Sequence, residues 1–267
     1  MDQDRTNTSK RFCAGPSFAK LQARLQLSET QLKKVVMEYP AVLSYNFESK
    51  IEMSLAKLQK RLQLSEVQLR KIVAARPSIL SHNFESNVEP SLAKLQARLQ
   101  LNEAQLQKVI VRCPNILNYS FESNIGPSLT KLQLRLQLSE AQLQKVVVAC
   151  PSVLICSFES NIGPKLDFLQ EGLDISLKTL REYVIRRPSL LSFSQKLRYE
   201  PRLEACRLSG ADPTLVIRRA CMNDACFYRS IGSKSPQPHR VGVSKFHTPG
   251  HYSAREEEHL KKRAKMS

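Results

Sequence analysis

Aliphatic residues recur along this chain in pairs of helical stripes. Val88, Leu92, Leu95 and Leu99 fall at i, i+4, i+7 and i+11, which is one face of a helix. A second stripe follows at once, with Leu106, Val109, Ile110 and Cys113 on one side. Lys, Arg, Gln and Glu fill the positions between. The spacing predicts a first helix over about residues 86–99. Pro90 sits in its first turn, where a missing amide proton costs little. The second helix is predicted to start at Asn102 as N-cap. The equivalent segments read Ser28-x-x-Gln31, Ser65-x-x-Gln68 and Ser139-x-x-Gln142, the capping box in which each side chain satisfies a free backbone amide. Pro114 ends the second helix, and residues 115–118 are predicted to form one tight turn.

This two-stripe pattern repeats every 37 residues. Pro40, Pro77, Pro114, Pro151 and Pro188 keep the interval, as do Phe47, Phe84, Phe121 and Phe158. Pro16, Pro90, Pro127, Pro164 and Pro201 keep it with Met53 in the one gap, and Ser28, Ser65, Asn102, Ser139 and Ser176 form a further column. Many columns agreeing at one period mark a repeat array. The units are 16–52, 53–89, 90–126, 127–163 and 164–200, with a partial sixth from Pro201. The fifth diverges, as a terminal capping unit does. The fold class read from this is all-α: a right- or left-handed superhelical α-solenoid of about five helix-pair repeats plus a partial sixth. One pair buries too little apolar surface to offset its own ordering, so stacked neighbours form the folding unit. Each Phe precedes Glu-Ser at a helix start, where a packing staple belongs. Residues 1–15 read as a short disordered segment. The solenoid is assigned to 16–222, and 223–267 reads as a basic, mostly disordered tail with one short helix near 253–264.

Charge adds a direction to this picture. The 267 residues carry 41 Lys and Arg against 24 Asp and Glu, a formal net charge of +17, which points to a polyanionic partner. Two basic columns run through the first helices. Lys20, Lys57, Lys94 and Lys131 form one, and Arg24, Arg61, Arg98 and Arg135 stand four residues later on the same face. Stacked repeats would turn them into a stripe suited to a phosphate backbone, with Lys as point charge and Arg as fork. The alternative is a solvated face duplicated with the repeat. A third column, Lys34, Lys71, Lys108 and Lys145, reads as solvated, because Glu29, Glu66, Glu103 and Glu140 share its helices. Arg186, Arg187 and Arg202 either extend the basic track or meet helix C-terminal dipoles, and Arg218 and Arg219 follow them. Trp is absent and aromatics make up only 6%, which favours a duplex held by its backbone over a stacked single strand.

Several classes are excluded. Seven cysteines, an odd number in a chain of this length, do not describe a secreted disulfide scaffold. No apolar run reaches the roughly 18–20 residues of a membrane span. No phosphate-binding glycine loop, nucleophile elbow or His-Glu-x-x-His is present, so neither an enzyme nor a bound cofactor is expected. Cys221-x4-Cys226-x12-His239 approaches a zinc finger, but His247 follows too late and no metal is expected.

The run Leu-Gln-x-Arg-Leu-Gln-Leu-Ser-Glu-x-Gln-Leu-x-Lys-Val-Val, followed by Pro-x-x-Leu and Phe-Glu-Ser-Asn-Ile-Gly-Pro, resembles the repeat of the mitochondrial transcription termination factor (mTERF) family. Lys-Leu-Asp-Phe-Leu from Lys165, Arg-Arg-Pro-Ser-Leu-Leu-Ser from Arg186 and Glu-Pro-Arg-Leu-Glu from Glu200 match it best. The resemblance spans about residues 16–222. It implies a monomeric solenoid that binds double-stranded DNA or structured RNA in a mitochondrion or chloroplast, with a role such as transcription termination or regulation. A protein-interaction scaffold that touches no nucleic acid is the other reading of such an array, and a protein partner is compatible with both.

Overall fold

The computed structural model describes residues 16–233. Residues 1–15 and the region from 234 onward, including the short helix read near 253–264 and both histidines of the zinc-finger reading, lie outside them. The fold is an all-α repeat array of the solenoid class, with no β-strand among the described residues. Five helix pairs follow one another: α1 (Pro16–Leu25) and α2 (Glu29–Glu38), α3 (Met53–Leu62) and α4 (Glu66–Ala75), α5 (Glu89–Leu99) and α6 (Glu103–Arg112), α7 (Gly126–Leu136) and α8 (Glu140–Ala149), α9 (Gly163–Gly172) and α10 (Leu177–Arg186). Then come α11 (Glu200–Ser209), α12 (Leu215–Arg218) and α13 (Asp224–Ser230). The described residues group into two compact units, one of 16–96 with 102–120 and one of 97–101 with 121–233.

Local chemistry explains each pair. Ser28, Ser65, Asn102 and Ser139 all form the capping boxes read from the sequence, each accepting from the backbone N–H of the Gln three residues on. Gln26, Gln63, Gln100 and Gln137 turn the chain between the two helices with φ of 49–50°, the left-handed region that suits glycine better. Pro40, Pro77, Pro114, Pro151 and Pro188 each open a single 3-10 turn after the second helix. The apolar stripes meet inside each unit. Leu69, Ile72 and Val73 are fully buried in the first, and Leu143, Val146 and Val147 in the second.

Two features depart from the sequence reading. The first helix of the third pair begins at Glu89 instead of 86, after a wider π-helical turn over Phe84–Val88 that the side chain of Asn83 caps. A regular α-helix through this stretch would drive the ring of Pro90 into the carbonyl of Ser86, and the wider turn accommodates the proline without requiring one, since it also forms ahead of Met53. The same turn recurs at Phe47–Glu52, Phe121–Ile125, Phe158–Ile162 and Gln195–Tyr199. The second departure is the folded boundary. Residues 224–230, read as disordered tail, form α13, and Phe227 and Tyr228 are buried.

Candidate nucleic-acid interface

The arginine column is built into the repeat junctions. Arg61 donates from Nε to both carboxylate oxygens of Glu89 (3.0 and 2.9 Å), from Nη1 to Glu103 (2.8 Å) and from Nη2 to Gln96 Oε1 (2.7 Å). Gln96 and Glu103 belong to the following repeat, and Glu89 is the residue that opens its first helix, α5. Arg24 repeats the set with Glu52, Glu66 and Gln59. Arg98 holds Glu140 and Gln133, and Arg135 holds Asp167 and Gln170. In the first three sets the glutamine also donates to the glutamate, as Gln96 does to Glu103 at 2.9 Å. Gln96, Gln59 and Gln133, followed by the neighbouring arginines, hold Glu103, Glu66 and Glu140 below the ordinary carboxylate range. Each arginine is thus a clasp between consecutive repeats, half-buried and already neutralised.

The lysine column is committed more loosely. Lys20, Lys57 and Lys131 pair with Glu48, Glu85 and Glu159 of the π-helical turn that follows, and both partners stay exposed. Lys94 is exposed on α5. Such pairs contribute little and exchange readily for another anion. The third column differs again. Lys34 lies 3.6 Å from Glu38, whereas Lys71, Lys108 and Lys145 are exposed and make no ion pair among the described residues.

The strongest unneutralised charge lies in the second unit. Arg186 and Arg187 at the end of α10 face Arg218 and Arg219 of the α12 segment across a half-open cleft of about 380 Å³, with Tyr183 in its wall. Backbone carbonyls hold this array of like charges together. Arg187 donates to the carbonyl of Arg218, and Arg219 donates to that of Ser230 at 3.4 Å. Among the described residues, the carboxylate in contact with these four guanidiniums is Asp212, 3.4 Å from Arg218. Asp212 is itself tied into a turn by the backbone N–H (2.8 Å) and hydroxyl (2.6 Å) of Thr214. These Thr214 bonds, then Arg218, hold its carboxyl below the ordinary range. Sequence reasoning passed over Tyr183. The signal was present: its repeat column otherwise reads Val35, Ile72, Val109 and Val146.

Arg202, read as a candidate contact, is the exception among the predicted residues. It is fully buried, so it cannot reach a ligand in solution. Its guanidinium binds Asp224 (2.7 Å), the carbonyls of Arg219 (3.1 Å) and Met222 (2.6 Å), and lies over the ring of Phe227. It is the anchor around which residues 219–227 wrap, which explains why α13 is folded. Lys165 is also buried, donating to Asn161 (2.9 Å) and to the carbonyl of Leu191 (2.6 Å), and burial lowers its pKa. Among the described residues no group of His, Cys, Asp or Glu could hold a metal ion, and no helix is long and apolar enough to cross a membrane.

The mTERF family model matches residues 24–224 of the 267. No curated protein matches the chain. The family consists of helical-repeat proteins that bind nucleic acid in organelle gene expression and is generally not enzymatic. The match begins at the end of α1, takes in every helix from α2 to α12 and ends at the first residue of α13, and on it the chain belongs to the mTERF family.

Proposed function

We propose that this protein is a monomer that binds double-stranded nucleic acid, DNA in the first place, and acts by that binding in transcription termination or regulation inside a mitochondrion or chloroplast. One observation carries the reading: Arg186, Arg187, Arg218 and Arg219 converge on a cleft with Asp212 as their acidic contact among the described residues, in a chain of net charge +17. Guanidiniums held together without compensating carboxylates are stabilised by an external polyanion, and phosphate releases counterions as it replaces them. Within each unit lysines add exposed positive charge: Lys71 and Lys108 in the first and Lys145 in the second make no ion pair among the described residues, and the exposed pairs of Lys20, Lys57 and Lys131 exchange readily for phosphate. The arginine column Arg24, Arg61, Arg98 and Arg135 locks consecutive repeats and is already neutralised. Few aromatics leave a duplex, gripped by its backbone, as the better substrate than a stacked single strand.

An electrophoretic shift with duplex DNA, run beside the same sequence as duplex RNA, tests this. Wild-type protein is expected to shift DNA at lower concentration than RNA, and R186E/R218E to need at least about tenfold more protein, since each reversal replaces a phosphate contact with a repulsion. No shift by wild type, or an equal shift by R186E/R218E, would overturn the assignment. In that case an acidic protein partner, as a scaffold would use, becomes the reading to pursue.

A further inference from the structure

The arginine cleft has a shape and a charge that a continuous duplex backbone does not need. Its volume of about 380 Å³ is small for a groove that tracks a helix and lies at the low end for pockets that enclose a discrete ligand. The earlier repeats do not carry its arginine pair. At the places of Arg186 and Arg187 those repeats carry Glu38 and Tyr39, Ala75 and Arg76, Arg112 and Cys113, Ala149 and Cys150. Tyr183 replaces a buried aliphatic residue and is half-exposed in the cleft wall.

The charge balance is informative. Among the described residues, four guanidiniums against the one carboxylate of Asp212 leave about three positive charges unmatched, and Asp212 is already occupied by Thr214. An internal phosphodiester brings one negative charge and two acceptor oxygens. A phosphomonoester brings about −1.5 to −2 at neutral pH and three acceptor oxygens. Arg forks bind such a group bidentately, and a strand end brings more charge into the half-open recess than a chain that passes over its mouth. A ring in the wall offers a base a face to stack on.

We infer that the cleft lined by Tyr183, Arg186, Arg187, Arg218 and Arg219 takes the terminal nucleotide of a nucleic-acid strand that ends in a phosphomonoester, so that the protein recognises phosphorylated strand ends as well as duplex backbone. This rests on the nucleic-acid reading above but adds a ligand that reading does not require.

Fluorescence anisotropy on four versions of one duplex tests it: 5′-phosphorylated, 3′-phosphorylated, unphosphorylated, and closed at both ends as a dumbbell. The expected result is binding of the dumbbell at a baseline affinity and binding about tenfold tighter to one phosphorylated form. Which of the two gains tells whether the 5′ or the 3′ monoester is the ligand. In R186Q and Y183A the gain is lost while dumbbell binding stays close to wild type for Y183A. Equal affinity for all four forms, with the dumbbell bound, overturns the end-recognition proposal and leaves duplex binding standing. Failure to bind any form overturns both. Thermal shift of unmodified protein with AMP against adenosine gives a check that needs no variant: stabilisation by AMP alone is expected, and identical melting with both overturns the proposal.

Discussion

Replacing Arg61 by methionine keeps the apolar stem and removes the fork, and it is expected to destabilise the first compact unit by about 2 kcal/mol. The magnitude follows from the geometry. Arg61 loses a contact to both oxygens of Glu89, a 2.8 Å pair with Glu103 and a 2.7 Å bond to Gln96. Exposed ion pairs measure about 0.2–1 kcal/mol, and hydrogen bonds involving a charged group about 1.5–3. The Arg61 side chain is only 20% exposed, which puts this clasp above the surface value. Its partners Glu89 and Glu103 are 37% and 50% exposed and rehydrate when released, which keeps the loss well below the cost of stranding a buried charge. Urea unfolding followed by far-ultraviolet circular dichroism reads the change as a lower midpoint at unaltered slope. Arg61→Lys should recover only part of it, because an ammonium cannot reach three acceptors at once. Lys57→Met, which removes the exposed pair with Glu85, should leave the midpoint in place. A midpoint for Arg61→Met that matches Lys57→Met, or full recovery by lysine, would refute the clasp.

Four further outcomes are expected. Gln63→Gly relieves a left-handed backbone and should stabilise by about 0.5–1 kcal/mol in the same urea assay, with Gln26→Gly behaving alike. Gly126→Glu supplies Arg98 with the carboxylate that Glu52 and Glu89 give to Arg24 and Arg61. The new Cβ lies 3.1 Å from the Phe121 carbonyl, a contact the sister repeats accommodate, so a gain of about 0.5 kcal/mol is expected and a loss would count against the scheme. Arg202→Ala takes the guanidinium from Asp224 and from the Met222 carbonyl and leaves a cavity, and should cost about 4 kcal/mol, with limited proteolysis then cutting near 219–230. Glu66, Glu103 and Glu140 titrate below the ordinary value when folded, so the unfolded chain binds more protons in that range. Stability should therefore be flat above about pH 5 and fall as pH drops through about 4 and below, and a midpoint unchanged at low pH would contradict the network.

The helices were legible because their signals are local. Val88 to Leu99 and Leu106 to Cys113 place two apolar faces, and Asn102 with Gln105 fixes the start between them. The π-helical turn was not read: Pro90 marks a first helical turn without showing the wider turn before it, and that turn also forms ahead of Met53, where no proline stands. The function of the basic residues was legible only in part. Arg61 and Glu103 are 42 residues apart, and an i, i+4 count on one helix cannot show that the next repeat supplies a carboxylate to each arginine. For the same reason the lysines of the second helices looked balanced by Glu66 and Glu103, although those carboxylates are turned to the arginines and leave Lys71 and Lys108 without an acid. Arg202 carried no sequence mark of burial, because three of its partners are the backbone carbonyls of residues 219, 220 and 222 and its acid, Asp224, lies 22 residues away.

The division between arginines that lock repeats and arginines that meet phosphate is tested most directly by the salt dependence of duplex affinity. The logarithm of the association constant falls with the logarithm of salt by about 0.9 for each phosphate neutralised, so R186Q/R218Q should flatten the slope by about 2 relative to wild type. Arg61→Met, measured where it remains folded, should keep the wild-type slope. An unchanged slope in R186Q/R218Q, together with a flattened one in Arg61→Met, would contradict the account.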